Sequence, residues 1–182
     1  MIIIVSGLTA SGKTTLAKGL SERLNFEYFS GSSELKKIIP KKDFKVWESK
    51  SGIDAIKFRL KNPKYDLKID RYIKRYVKTR DNIVLDSWTA AFLIKRKDSI
   101  KILIRADYNI RAKRVAKRDG ITLGEARKFT QEKDVLTAKI YKKLYNIDII
   151  NDTSPYDLII NSDKLDKNKL LSICETFIRY II

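Results

Sequence analysis

The residues between Gly7 and Thr14 have the types and spacing that most directly suggest chemistry. They read Gly-Leu-Thr-Ala-Ser-Gly-Lys-Thr, an unbroken G-x-x-x-x-G-K-[ST] pattern known as the phosphate-binding P-loop. Glycines let backbone amides approach phosphate oxygens, and a helix that begins near Lys13 adds the positive end of its dipole. The pattern predicts that a nucleotide is bound by a set of loop residues, namely Gly7, Ala10, Ser11, Gly12, Lys13, Thr14 and Thr15.

A carboxylate further along the chain is the expected partner of this loop. We expect Lys13 to bridge the β and γ phosphates and the Thr14 hydroxyl to bind Mg²⁺. The apolar run 83–85 is typical of a strand buried on both faces of a parallel sheet, and it ends in Asp86. P-loop proteins hold the metal or a metal-bound water at such a position, so Asp86 is the second predicted metal ligand. The alternative is an aspartate that only caps a turn.

Basic residues form the third candidate group. Arg111, Arg114, Lys117 and Arg118 recur at spacings that place three or four of them on one side of a helix. Phosphoryl transfer spreads negative charge over several oxygens and depends on guanidinium groups, which makes Arg114 and Arg118 candidate catalytic residues. A solvated helix face is the alternative.

Apolar patterns along the chain predict the elements that must position these residues. Strands are predicted at 1–5, 26–29, 83–86, 100–104 and 156–160. Helices are predicted after the loop, over 34–39, over 65–77, in two segments of 110–145 separated at Asp119-Gly120, and over the last residues. This alternation predicts a doubly wound α/β fold, with a parallel five-stranded sheet, helices on both faces and ligands at the carboxyl ends of the strands.

Composition excludes several classes of function. With 182 residues the chain is expected to form one domain, and with no histidine it cannot hold a His-based triad or a His-Glu-x-x-His zinc site. The single cysteine permits no intrachain disulfide, and the opening apolar run is far too short to cross a bilayer, so we expect a cytoplasmic protein with no membrane partner. The net charge of +17 is expected to attract nucleotides or nucleic acid.

Four stretches of the sequence resemble the P-loop nucleoside monophosphate kinases, and most closely the archaeal type of cytidylate kinase. They are the P-loop, Phe29-Ser30-Gly31 before a basic helix, residues 66–71 ahead of Asp86, and residues 111–120. The segments 141–149 and 156–161 also resemble the closing segments of that family. The likeness spans nearly the whole chain.

This resemblance implies a single P-loop kinase domain over 1–182, with a helical acceptor-binding region over about 31–78 and a short lid over about 119–140. It implies ATP as donor, Mg²⁺, and a nucleoside monophosphate as acceptor, CMP or dCMP. It also implies donor contacts from Arg118 and Asn161, and acceptor contacts from Ser30, Lys36, Asp70 and Arg71. Lys36, Lys133-Asp134 and Ile140 stand where such kinases carry an arginine, an Arg-Glu pair and an arginine.

A second class of function is an alternative. The high net charge, and the tyrosines interleaved with lysines between Lys41 and Lys78, favour weak RNA binding through the basic surface. On that hypothesis the chain is an ATP-binding protein or kinase that acts on RNA or a ribonucleoprotein and has little monophosphate kinase activity. A regulatory nucleotide sensor is a third alternative. The sequence assigns no oligomeric state.

Overall fold

A parallel β-sheet lies at the centre of the computed structural model, which describes residues 1–39 and 53–182. Within those ranges five strands pair in the order β2-β3-β1-β4-β5, and every neighbouring pair is parallel. The strands are β1 (Ile2–Gly7), β2 (Glu27–Ser30), β3 (Ile83–Asp86), β4 (Ser99–Arg105) and β5 (Leu158–Asn161). The predicted doubly wound five-stranded fold is therefore confirmed.

Helices connect the strands and cover both faces of the sheet. The described ranges contain α1 (Lys13–Leu24), α2 (Gly31–Ile38), α3 (Ile53–Lys61), α4 (Lys64–Lys78), α5 (Ala90–Leu93), α6 (Tyr108–Asp119), α7 (Leu123–Tyr145) and α8 (Lys167–Ile181). The predicted break at Asp119-Gly120 is present, because Gly120 ends α6 in the left-handed conformation and a Thr122–Glu125 capping box begins α7. None of the described helices is long and apolar enough to span a membrane, and the cytoplasmic location stays a prediction.

Alternate residues of β1 face two separate apolar layers. Ile4 packs with residues of α2 and α4 on one face, while Ile3 and Val5 pack with residues of α1 and α8 on the other. Cys174 of α8 is completely buried in the second layer, and this burial raises the pKa of its thiol to about 12. Because both faces are covered, β1 is a continuous apolar run and its loop is held at the carboxyl edge of the sheet.

The structure corrects two local predictions. Helix α2 begins at Gly31 and not at Glu34, because β2 continues to Ser30 and the Ser30 hydroxyl accepts a hydrogen bond from the amide of Ser33 as the N-cap. The apolar pattern of the helix predicted over 65–77 leaves Asp70 on its polar side, yet only 5% of Asp70 is exposed. Pro40, which closes the helix predicted over 34–39, and the first part of the lysine-rich stretch that follows it, up to residue 52, lie outside the described residues.

Candidate active site

One continuous cleft opens at the carboxyl ends of β1 and β3. Its volume is about 360 Å³, and its walls come from the P-loop, α2, α3, α4, α6 and α7. Seven of the predicted site residues line it: Ala10, Lys13, Thr14, Lys36, Asp70, Asp86 and Arg118. The fold therefore brings into one cavity residues that the sequence places more than 100 positions apart.

The P-loop takes its form from two glycines and a turn. A Cβ on Gly7 would lie 2.6 Å from the carbonyl oxygen of Ile104 and would also overlap the Ser11 hydroxyl, so no larger residue fits there. Gly12 has a φ of 107°, a left-handed conformation that favours glycine, directly before α1. Among the described residues, the buried hydroxyl oxygens of Thr9 and Ser11 have no hydrogen-bond partner. A loop with unpaired polar atoms fits a phosphate-bearing ligand.

Lys13 lies at the start of α1 and faces the cleft. Its Nζ is 5.2 Å from the centroid of the Trp88 ring. Burial lowers the pKa of Lys13, and the negative charge of Asp86 works in the opposite direction. Trp88 also packs against the α3–α7 apolar cluster, so the ring is both core and wall of the cleft.

Thr14 and Asp86 form the oxygen pair expected at a magnesium site. The Thr14 hydroxyl donates to Oδ2 of Asp86 over 2.6 Å, and the Tyr28 hydroxyl donates to the same oxygen over 3.3 Å. Mg²⁺ prefers oxygen ligands and is usually held by one or two protein groups together with phosphates and water. In the described part of the chain no group of three or more acidic, cysteine or histidine side chains is gathered. This donor set fits a metal that enters with a nucleotide.

Two further cations approach the cleft from α6 and α7. Arg118 lines the cleft and pairs with Asp119, its Nε donating to the carboxylate over 2.7 Å. Lys133 lies over the Phe129 ring at 5.2 Å and also lines the cleft. Burial, and then the positive charges of Lys13 and Arg118, lower the pKa of Lys133 to about 8. Together with Lys13, these side chains bring cations from α1, α6 and α7 into the cleft beside the P-loop.

Arg114 lies behind the P-loop and does not line the cleft. Its guanidinium donates to the carbonyl oxygens of Ala10 and Ser11 at 3.3 and 3.1 Å, and to the backbone oxygen of Ser162 at 2.8 Å. With its donors aimed at these oxygens, it supports the loop from outside. Thr15 and Asn161 are also outside the cleft lining: both are exposed, and Asn161 accepts a hydrogen bond from the amide of Asp163.

The other half of the cleft lies between α2, α3, α4 and α7. Asp70 accepts hydrogen bonds from the hydroxyls of Tyr145 at 2.7 Å and Thr89 at 3.2 Å, and burial raises its pKa to about 6. Lys36 lines this half from α2. Ser30 caps α2 and Arg71 is exposed, and neither lines the cleft.

Sequence analysis missed a buried polar group in this half. Arg59 of α3 pairs with Asp66 and donates to the Tyr141 hydroxyl at 3.2 Å. Asp66 and Asp70 are four residues apart on the face of α4 that also carries Ile69 and Ile73, so helical periodicity contained a signal for their burial. Arg59 gave no such signal, because its segment lacks clean periodicity.

Comparison with known proteins decides the family. The model of the cytidylate kinase-like family matches residues 2–164. This chain belongs to that family. The cytidylate kinase of Sulfurisphaera tokodaii is 33% identical over 182 residues, which cover all of this chain and 97% of that protein. The cytidylate kinase of Methanocorpusculum labreanum is 31% identical over the whole chain and 98% of that protein. Membership confirms the expected enzyme class, a nucleoside monophosphate kinase.

Solved structures agree with the fold. An uncharacterized protein from Eubacterium ventriosum has a TM-score of 0.74 at 18% identity, with 98% of both chains covered. The shikimate kinase of Acinetobacter baumannii has a TM-score of 0.59 at 15% identity, covering 98% of this chain and 93% of that one. The architecture of this family member is thus that of the P-loop kinases.

Proposed function

We propose that this cytidylate kinase-like protein transfers the terminal phosphoryl group of ATP to CMP or dCMP. The observation that supports this most strongly is the continuity of the cleft, which joins the P-loop to the pocket between α2, α3, α4 and α7. A kinase of this class must hold two nucleotides with their phosphates adjacent, and one continuous cleft lined by several cations suits that task. The preference for a cytosine nucleotide rests on the names of the relatives.

On this proposal the P-loop half binds the donor. Lys13, Arg118 and Lys133 neutralise the phosphate oxygens as charge spreads over them. Thr14 and Asp86 would hold Mg²⁺, which supplies further charge neutralisation at the phosphates. Arg114 acts indirectly, since its contacts are with loop carbonyl oxygens.

The other half binds the acceptor. The Lys36 ammonium is available for the acceptor phosphate, and a carboxylate such as Asp70 accepts hydrogen bonds from the exocyclic amine of cytosine. A phosphate monoester has a second pKa near ~6, so the attacking oxygen is already anionic at neutral pH and needs no general base. A chain without histidine can therefore perform the reaction by binding, orientation and charge neutralisation.

The experiment is a kinase assay of the purified protein with ATP and Mg²⁺ against CMP, dCMP, UMP, AMP and GMP. We expect CMP or dCMP to give the highest kcat/KM and EDTA to stop turnover. Asp70→Asn should lower kcat/KM for CMP more than for UMP, which has no exocyclic amine. Absence of turnover with every monophosphate would overturn the proposal and favour action on RNA or a ribonucleoprotein.

A further inference from the structure

Helix α7 is attached to the P-loop through one buried carboxylate. Asp134, only 6% exposed, accepts a hydrogen bond from the Thr9 amide through Oδ1 at 3.2 Å. Its Oδ2 accepts from Arg111 of α6 at 2.5 Å, and the same Arg111 nitrogen donates to the Thr9 carbonyl oxygen at 3.1 Å. Both backbone polar groups of Thr9 are therefore bound, and the P-loop, α6 and α7 meet at this residue.

The residue next to Asp134 explains why such an attachment is needed. Lys133 lines the cleft in the electrostatic field of Lys13 and Arg118, and these like charges oppose the approach of α7 to the P-loop. Asp134 and Asp119 are the negative charges that act on Lys133 in the opposite direction. Of these two carboxylates, Asp119 binds Arg118, whereas Asp134 joins α7 directly to the loop.

We propose that Asp134 is a positioning residue for phosphoryl transfer, which fixes α7 against the P-loop so that Lys133 stays beside Lys13 in the cleft. The proposal rests on the proposed function in one respect, namely that the cations of the cleft receive the donor phosphates. Asp134 itself does not line the cleft, because its carboxylate oxygens accept hydrogen bonds from Thr9 and Arg111. Its effect on the reaction passes through Lys133.

A double-mutant cycle tests this route. Asp134→Asn should lower kcat about tenfold or more with a small change in the KM for the acceptor, and Lys133→Ala should lower it at least as much. Because both substitutions act through the Lys133 ammonium, the double variant should be no slower than Lys133→Ala alone. The proposal is overturned if Asp134→Asn lowers kcat by the same factor in the wild type and in Lys133→Ala. It is also overturned if the Asp134→Asn protein is folded and keeps the kcat of the wild type.

A matched control lies two residues away on the same helix. Glu132 forms an exposed ion pair with Lys57 of α3 at 2.8 Å. Glu132→Gln should therefore keep the kcat of the wild type. Equal losses in Glu132→Gln and Asp134→Asn would show a general effect of α7 and would overturn the assignment to Asp134.

A second variant removes the risk of misfolding. Asp134→Asn leaves the buried Arg111 without its charged partner, which can destabilise the fold. Replacing both groups, as Arg111→Met with Asp134→Leu, keeps the site filled and leaves no buried charge unpaired. This folded variant should still lose the same factor in kcat as Asp134→Asn. Retention of the wild-type kcat would overturn the proposal.

A measurement of the Lys133 pKa separates this proposal from the proposed function, because it needs no turnover. The lysines are ¹³C-dimethylated, the Lys133 signal is assigned with Lys133→Arg, and the signal is titrated by NMR. Loss of a nearby carboxylate from a rigid site would lower the Lys133 pKa further. Displacement of α7 away from Lys13 and Arg118 would raise it, toward the ordinary value of 10.5. We expect the rise in the Arg111→Met, Asp134→Leu variant; an unchanged or lower pKa overturns the proposal.

Discussion

Lys13 faces the cleft beside Trp88. Burial lowers the pKa of Lys13 in the protein without nucleotide, because burial disfavours the charged ammonium. We therefore expect Lys13 to contribute little to the stability of the fold. Lys13→Ala should reduce kcat on the order of 1,000-fold or more, since a preorganised cation at the transferring phosphoryl group is lost. The measurements are steady-state turnover and a thermal melt followed by circular dichroism. Lys18→Ala, an exposed lysine on the same helix, is the control and should retain activity. Undiminished transfer by Lys13→Ala would contradict the P-loop assignment.

Asp70 has a raised pKa, which makes stability depend on pH. Its folded-state pKa of about 6 lies above the ordinary 3.8, so the folded protein binds this proton more tightly than the unfolded chain does. The stability that protonation contributes is therefore present below pH 4 and is lost as pH rises through about 6. The loss should be about 3 kcal/mol, from a shift of roughly two units at 1.36 kcal/mol each.

Urea unfolding of the wild type and Asp70→Asn between pH 4 and 7.5 measures this effect. The unfolding free energy of Asp70→Asn, relative to that of the wild type, should increase as pH rises. Asp152→Asn is the control that should stay nearly constant over this range, because a hydrogen bond from Ser154 lowers the pKa of that carboxyl and places its titration below pH 4. A difference for Asp70→Asn that stays constant across the range would contradict the prediction.

At the scale of elements, the P-loop depends on the lack of a side chain at Gly7. Gly7→Ala would place a Cβ against Ile104 and Ser11, so we expect loss of nucleotide binding and destabilisation by about 1–3 kcal/mol. Gly124→Ala in the first turn of α7 is the matched control, because the nearest atom, the Thr122 hydroxyl oxygen, is 4.0 Å from the added Cβ. That control should be stabilised by roughly 0.5–1 kcal/mol. Equal melting temperatures for both variants would show that the close approach has no energetic effect.

Elements that depend on local sequence patterns could be predicted, whereas features that depend on contacts between distant segments could not. The strand-loop-helix unit at 2–24 and the break at Gly120 could be predicted because their signals are local patterns and backbone preferences. The placement of Arg114 could not be predicted, because helical spacing does not say which loop lies against the helix. Arg59 and Lys133 reach the cleft through contacts between distant segments, and only the packing of α3 and α7 determines those contacts.

Charge is unevenly distributed over the surface of α4. Six of its exposed positions carry cations, while both of its carboxylates, Asp66 and Asp70, are buried. The cations are Lys64, Lys68, Arg71, Lys74, Arg75 and Lys78. Such a helix face can attract a polyanion, but each contact with single-stranded RNA is screened by salt and contributes about −0.7 to the slope of log affinity against log salt. A diffuse contact of this kind is expected to be weak.

Titration of binding against salt concentration therefore separates the two classes of function. RNA held by five or more cations should show a slope steeper than about −3 and should dissociate near physiological salt, whereas CMP should respond far less. Lys68→Glu with Lys74→Glu should weaken RNA binding more than the charge-matched Lys113→Glu with Lys117→Glu on α6. Tight RNA binding near physiological salt with a steep slope, and no turnover of monophosphates, would replace the kinase proposal with the RNA alternative.

Because Cys174 is completely buried, the reactivity of its thiol reports the separation of α8 from the sheet. The chain has one thiol, it lies in the layer between α8 and the sheet, and its raised pKa leaves almost no reactive thiolate at neutral pH. A maleimide can therefore react only when α8 separates from the sheet, so the labelling rate relative to that in urea gives the free energy of this separation. Saturating ATP and CMP should slow labelling if the two nucleotides hold the layers together, and labelling of the folded protein as fast as in urea would contradict this expectation.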